Sequence, residues 1–170
     1  MHEQPPPCTA CRYHGDRPCR PDGSFDADLV AAALLEWLHA GCRQPPDRGV
    51  LRRNRWARDC LDELAFHAPE EAFRVVLLAM IGLRTPAEAA ALAGGPLEGL
   101  IAGHGARFIE RIERLAADSP RFRFLLLGVW PQGRKGSPLW KRIEAARAGA
   151  VPVPPEGPLP EVGLLGALPG

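Results

Sequence analysis

Apolar residues recur along most of the chain at the spacing of one helical face. Val30, Ala33, Leu34, Trp37 and Leu38 stand at i, i+3, i+4, i+7 and i+8, and Gly41 with Gln44-Pro45-Pro46 closes that segment. A second helix is predicted from about Asn54 to Phe66, with Ala57, Cys60, Leu61 and Leu64 inward. Pro69 opens a third at a position where its missing N–H costs nothing, and Glu70 and Glu71 suit a helix N-terminus. Phe73, Val76, Leu77, Met80 and Ile81 repeat the stripe. Val75 and Leu78 make the opposite face apolar too, so this helix is expected to be the most buried.

Thr85-Pro86-Ala87-Glu88 fits a capping box with Pro in the first turn, and Gly94-Gly95 is expected to stop the short helix that follows. Pro96 starts another, carrying Leu97, Leu100 and Ile101, and the chain is expected to turn at Gly103-His104-Gly105. Phe108, Ile109, Ile112, Leu115 and Ala116 mark a longer amphipathic helix ended before Ser119-Pro120. Phe122, Leu125, Leu126 and Val129 mark the next, and Ser137-Pro138 caps a last one with Leu139, Trp140 and Ile143 inside. The predicted fold is all-α, a single irregular bundle of seven to eight short helices over residues 24–148. Residues 1–23 form a Cys- and Pro-rich arm without apolar periodicity, and residues 149–170 a Pro-rich tail expected to be flexible or polyproline-like.

Composition agrees with this picture. Ala, Leu, Arg and Glu abound while the β-branched residues are scarce. A length of 170 residues suits one compact domain. With 21 Lys+Arg against 20 Asp+Glu, the net charge of +1 argues against wholesale nucleic-acid binding. No apolar run approaches the ~18 residues of a membrane span, and the Pro-rich, charged N-terminus does not read as a signal peptide. A cytoplasmic protein without membrane contact is expected.

One run of motifs is recognisable. Gly94-Gly95-Pro96-Leu97-Glu98-Gly99-Leu100 is followed by His104-Gly105 and by Phe108-Ile109-Glu110-Arg111-Ile112-Glu113. Pro120-Arg121-Phe122-Arg123, Gly128-Val129-Trp130 and Ser137-Pro138-Leu139-Trp140-Lys141-Arg142-Ile143 come after. Over roughly residues 50–145 the chain resembles an uncharacterised bacterial family of small helical proteins, known only as a domain of unknown function. The resemblance implies a helical fold and a bacterial source, and it implies no activity. The Cys-rich first 20 residues are unlike that family's usual N-terminus.

Candidate chemistry begins in that arm. Cys8-x2-Cys11-x2-His14-x4-Cys19 gathers three thiols and an imidazole, and zinc takes four such ligands in a tetrahedron. The pattern resembles a CCHC knuckle with a shortened middle gap. An alternative set joins Cys8 and Cys11 to His39 and Cys42, which would staple the arm onto the first helix. Either site would be structural, because four protein ligands leave no open position. Incidental thiols in an arm without metal are the plain alternative. Cys60, on an inward stripe, reads as a core thiol.

Charge is uneven along the second helix. Residues 43–58 hold Arg43, Arg48, Arg52, Arg53, Arg55 and Arg58 against Asp47, a local +5; residues 59–71 hold five acids and no Lys or Arg, a local −5. Arg48, Arg52, Arg53 and Arg55, with Trp56 for stacking, would suit phosphates and bases. The plainer reading is a solvated face whose Arg pair with the acids that follow. No nucleophile–base set stands out: Ser24, Ser119 and Ser137 read as helix caps, and His67 and His104 fall near predicted helix ends. Glu98 with Glu110 or Glu113 and His104 would offer a carboxylate pair, but the Glu-x-x-His motif of di-iron bundles is missing. Trp130 and Trp140 read as core anchors or as partner-binding hot spots.

These readings converge on a non-enzymatic helical protein that binds another macromolecule, of adaptor or immunity type. Its expected surface comprises the Arg-rich segment and the loops near His104 and Trp130. The alternative is a zinc-stapled nucleic-acid-binding accessory protein, and a metal-dependent enzyme is a third option. A protein partner is expected, and a nucleic acid is the other candidate.

Overall fold

A computed structural model describes residues 25–165. Among these every regular element is helical, as the periodicity predicts. The chain divides into two compact units, one ending at Ala79 and the other beginning at Met80.

In the first unit, α1 (Ala27–Cys42) and α2 (Arg48–His67) form a helical hairpin. Asp26 caps α1 through Leu29 N, and Val30, Leu34 and Leu38 face inward as the stripe requires. A polar tie joins the two helices, the buried Asn54 donating from Nδ2 to Oε2 of the exposed Glu36 at 2.8 Å. The Arg58 guanidinium lies 5.7 Å from the Trp37 ring. The second helix starts six residues before the predicted Asn54. Asp47 accepts from Gly49 N at 3.0 Å and Val50 N at 3.1 Å, and the Val50 bond leads the causes that hold its carboxyl below the ordinary range. Because Arg48–Arg53 carry little apolar periodicity, the side-chain cap rather than burial sets this start.

Helix α3 (Pro69–Gly82) spans the division between the units. Ala72, Phe73, Val75, Val76, Leu77, Ala79 and Met80 are fully buried, so it packs on opposite faces as predicted, but Ile81, expected on the inward stripe, is 43% exposed near the helix end. In the second unit, α4 (Pro86–Leu92) begins at the expected capping box, with Thr85 and Glu88 satisfying each other's backbone donors. It does not stop at Gly94-Gly95. A π-helical turn over Ala93–Leu97 carries the chain directly into α5 (Glu98–Asp118). Pro96 has no N–H and its ring would strike the carbonyl four residues back, so the turn widens and the Glu98 N–H bonds to Ala93 O.

The expected turn at Gly103-His104-Gly105 is likewise absent, and α5 runs through it. Gly105 is buried, and a Cβ there would lie 2.6 Å from Leu139 Cδ2. Its small size lets α7 (Pro138–Ala146) approach α5, and that packing outweighs the helix cost of glycine, ~1 kcal/mol each. Between them lie α6 (Pro120–Leu125), capped by Ser119, and a 3₁₀ turn over Leu126–Gly128.

Two arginines close helix ends here. Arg121 Nη1 donates to Ile81 O at 3.0 Å, with Met80 O and Leu83 O close by, at the C-terminus of α3. Arg123 donates to Ala116 O and Ala117 O at the end of α5. Among the described residues the Pro-rich tail lacks helix, and part of it is anchored rather than free. Arg121 Nε donates to Pro160 O at 2.8 Å, Arg121 N to Glu161 O and Leu164 N to Asp118 O, both at 3.0 Å, while the Ser119 hydroxyl donates to Val162 O. Gly163 makes this return possible: its φ is +71°, and a Cβ would lie 2.4 Å from Asp118 O.

Replacing Gly163 by Ala is therefore expected to detach residues 160–164, the left-handed backbone alone costing about 1–2 kcal/mol. Faster amide exchange at Leu164 and Arg121, with the α5 core amides unchanged, checks this.

Candidate functional site

A groove in the second unit lies beside a loop held by a buried carboxylate. Glu98, the first residue of α5, is 8% exposed. Its Oε2 accepts from Trp130 N at 2.8 Å and its Oε1 from Gln132 Nε2. A buried carboxylate is tolerable when charge-assisted hydrogen bonds occupy it. The loop it holds turns tightly, with φ of +46° at Gln132, +76° at Gly133 and Arg134 N donating to Pro131 O at 2.8 Å. Arg134 then reaches Ala102 O on α5.

This pins the backbone of Trp130 while leaving its indole 71% exposed. Trp140 is buried at 4%, with Nε1 donating to Glu144 Oε1 at 2.8 Å and the Arg147 guanidinium 5.0 Å from its ring. Arg147 also donates to Leu126 O and Val129 O. A groove of about 380 Å³ results, walled by Leu127, Val129, Trp130, Pro131 and Trp140, with Lys135, Glu144 and Arg147 along its polar edge. Behind the indole a smaller hollow is bordered by Ile101, Ala102 and Leu139. Bidentate bonds from Arg142 to Glu113, at 2.7 and 2.6 Å, tie α7 to α5 and hold the Glu113 carboxyl below its ordinary range.

The groove offers an aromatic and aliphatic wall beside one free-standing lysine head, which is binding chemistry. The carboxylate pairs weighed for metal chemistry are committed elsewhere: Glu98 anchors the Trp130 loop and Glu113 pairs with Arg142. No group of three or more His, Cys, Asp or Glu able to hold a metal occurs among the described residues. Cys8, Cys11, His14 and Cys19 lie outside the described residues. His39 and Cys42, of the alternative zinc set, are half-buried at the C-terminal end of α1. Cys60 is fully buried, the expected core thiol.

Arg48, Arg52, Arg53 and Arg55 are exposed on α2, and Trp56 beside them is half-buried. Arg55 pairs with Asp59 at 3.4 Å and Arg58 with Asp62 at 3.8 Å, the pairing that the plainer sequence reading describes. His104 is half-buried inside α5 rather than at a turn, and does not line the groove. Of the two motif tryptophans Trp140 is the core anchor and Trp130 the exposed one. Sequence reasoning missed Glu98 as a loop anchor and Lys135, Leu127 and Arg147 as lining. Only the two consecutive left-handed positions at Gln132-Gly133 had a local signal, a Pro-Gln-Gly turn.

Residues 44–151 match a family described only as a family of unknown function (DUF6869). No curated protein and no solved structure matches the chain. Among the described residues no helix is long and apolar enough to cross a membrane.

Replacing Glu98 by Ala strands the Trp130 N–H and the Gln132 amide without their acceptor. A loss of about 2 kcal/mol in urea unfolding is expected from hydrogen bonds to a charged group, together with faster amide exchange at Trp130.

Proposed function

The chain belongs to the family of unknown function DUF6869, and we propose that it acts without catalysis, by holding a segment of another protein in the groove beside Trp130. The observation that carries this reading is a large aromatic side chain held in water on an immobilised backbone. An indole left 71% exposed forgoes one to three kilocalories per mole of burial, roughly, that a folding-only role would collect. Tryptophan on a rigid support is the usual anchor of a protein interface, because little conformational freedom remains to be lost on binding. Lys135 at the edge of the apolar wall selects the partner's chemistry: an apolar or aromatic side chain with a carboxylate close by.

This is the behaviour of an adaptor or immunity-type protein in the cytoplasm of a bacterium. The nucleic-acid alternative draws on the exposed Arg48, Arg52, Arg53 and Arg55, yet their helix face also carries Asp59 and Asp62, which weakens it as a phosphate track. The zinc staple is a separate expectation. Stoichiometric zinc in protein purified without chelator, lost on joint Cys8→Ser and Cys11→Ser replacement, would support it, and metal-free protein would sink it.

The groove is tested by affinity purification of the full chain from its own cells beside a Trp130→Ala variant of equal helicity. The expected result is one stoichiometric protein whose purified binding weakens about thirtyfold in the variant, the loss of a hot spot worth ~2 kcal/mol. Equal binding by both chains would overturn the reading.

A further inference from the structure

Helix α2 buries one line of residues, Asn54, Ala57, Leu61 and Leu64, and turns another outward on the opposite side, exposed except for the half-buried Asp59. Positions 48, 52, 55, 59, 62 and 66 advance by alternating steps of four and three, the spacing of a heptad seam. They carry Arg48, Arg52, Arg55, Asp59, Asp62 and Phe66. This order has two properties that folding of the chain alone does not reward. Basic residues in the N-terminal half and acids in the C-terminal half oppose the helix macrodipole. The Arg55–Asp59 and Arg58–Asp62 pairs also run base before acid, the less favourable direction at i, i+4. At the C-terminal end Phe66 is 79% exposed.

The stripe is also symmetric about Ala57. Positions 48 and 66, 52 and 62, and 55 and 59 are equidistant from it. Two copies of the helix crossing antiparallel at that midpoint bring Arg52 opposite Asp62, Arg55 opposite Asp59 and Arg48 opposite the Phe66 ring, each twice. Slipping by one heptad in either direction sets Arg52 against Arg55, or Asp59 against Asp62. A parallel arrangement stacks like charges throughout. The pattern thus favours one register and penalises its neighbours, which is how charged seams specify partners.

We propose that α2 is the interface of a homodimer in which two copies of this chain pair antiparallel along this stripe. Cross-chain pairing would bring cations to the acidic end, where burial and the neighbouring Asp59 and Glu63 push the Asp62 carboxyl up against the pull of Arg58. Because exposed ion pairs each contribute little and are screened by salt, the dimer is weak and dissolves at high ionic strength. It does not depend on the groove at Trp130, so either can fail alone.

Sedimentation velocity of the full chain over a concentration series tests it, at about 20 mM and about 500 mM salt. A concentration-dependent dimer at low salt, lost at high salt, is expected. Arg52→Asp alone and Asp62→Arg alone each set like charges across the seam and should weaken the dimer at least tenfold. The double variant restores opposite charges and should recover it. All substitutions lie on exposed positions, and circular dichroism confirms retained helicity. A monomer throughout the low-salt series overturns the proposal, as does a dimer indifferent to the single variants or a double variant no better than either. An α2 face that binds RNA while the protein stays monomeric overturns it as well.

Discussion

Pro96 cannot donate a backbone hydrogen bond and cannot tolerate a carbonyl in the usual place four residues earlier, and the second unit is arranged around that constraint. The helix does not end there. It widens by one residue, so that the Glu98 N–H reaches Ala93 O and Glu98 itself begins a new α-helix of 21 residues. Gly94 and Gly128 contribute to the same accommodation. A Cβ on Gly128 would lie 2.8 Å from the Ala93 Cβ, so the 3₁₀ turn rests directly on the widened turn. With that contact made, Glu98 stands where the chain leaves Val129, and its carboxylate collects the Trp130 and Gln132 donors. The groove is in this sense a consequence of the proline: shift the helix phase at residue 96 and the anchor of the loop shifts with it.

Arginine does much of the remaining backbone accounting. Arg121 and Arg123, two residues apart on a short helix, turn to opposite tasks: one closes α3 and ties the tail, the other closes α5. Arg147 donates to carbonyls at the 3₁₀ turn while stacking on Trp140, and Arg134 reaches a carbonyl of α5. Guanidinium suits these places because several fixed donors serve several carbonyls at once, and carbonyls at a helix end carry negative partial charge. A basic residue spent in this way is part of the scaffold, so a count of Arg overstates the charge available for a polyanion.

What was legible in the sequence was what neighbouring residues settle among themselves. Thr85-Pro86, Ser119-Pro120 and Ser137-Pro138 cap helices because the hydroxyl, the next backbone donors and the ring all lie within one turn. Beyond its acidic first turn, α3 announced its burial by carrying Phe73, Val75, Val76 and Leu77 on opposite faces. The glycines misled for the opposite reason. At Gly94-Gly95 and Gly103-His104-Gly105 the residue type permits a stop, but contacts made by Gly128 and Leu139, dozens of positions later, decide that the helix continues. Trp130 and Trp140 show the same limit. Both sit in the same kind of motif beside a turn, and contacts that the motifs do not contain separate them: Glu98, 32 positions upstream, holds the Trp130 backbone, while Glu144 and Arg147 engage the Trp140 indole. In α2, Asp47 set the start through a cap that no apolar periodicity accompanied.

The two surfaces differ in how strongly physics constrains them. Around Trp130 bonds from Glu98, Arg134 and Arg147 tie the loop, so the wall is preorganised and its affinity does not have to cover the ordering of a loop. Along the outward stripe of α2 the information lies in the order of charges. Electrostatic order of that kind contributes little to affinity and much to register and partner choice. A helix selected only for stability would place Asp59 and Asp62 before Arg52 and Arg55, gaining from the macrodipole and from the better pair direction at once. The chain has the reverse order with an exposed phenyl ring at its end, an arrangement that pairs in the less favourable direction within one copy and that the proposed antiparallel pairing of two copies makes complementary along its whole length.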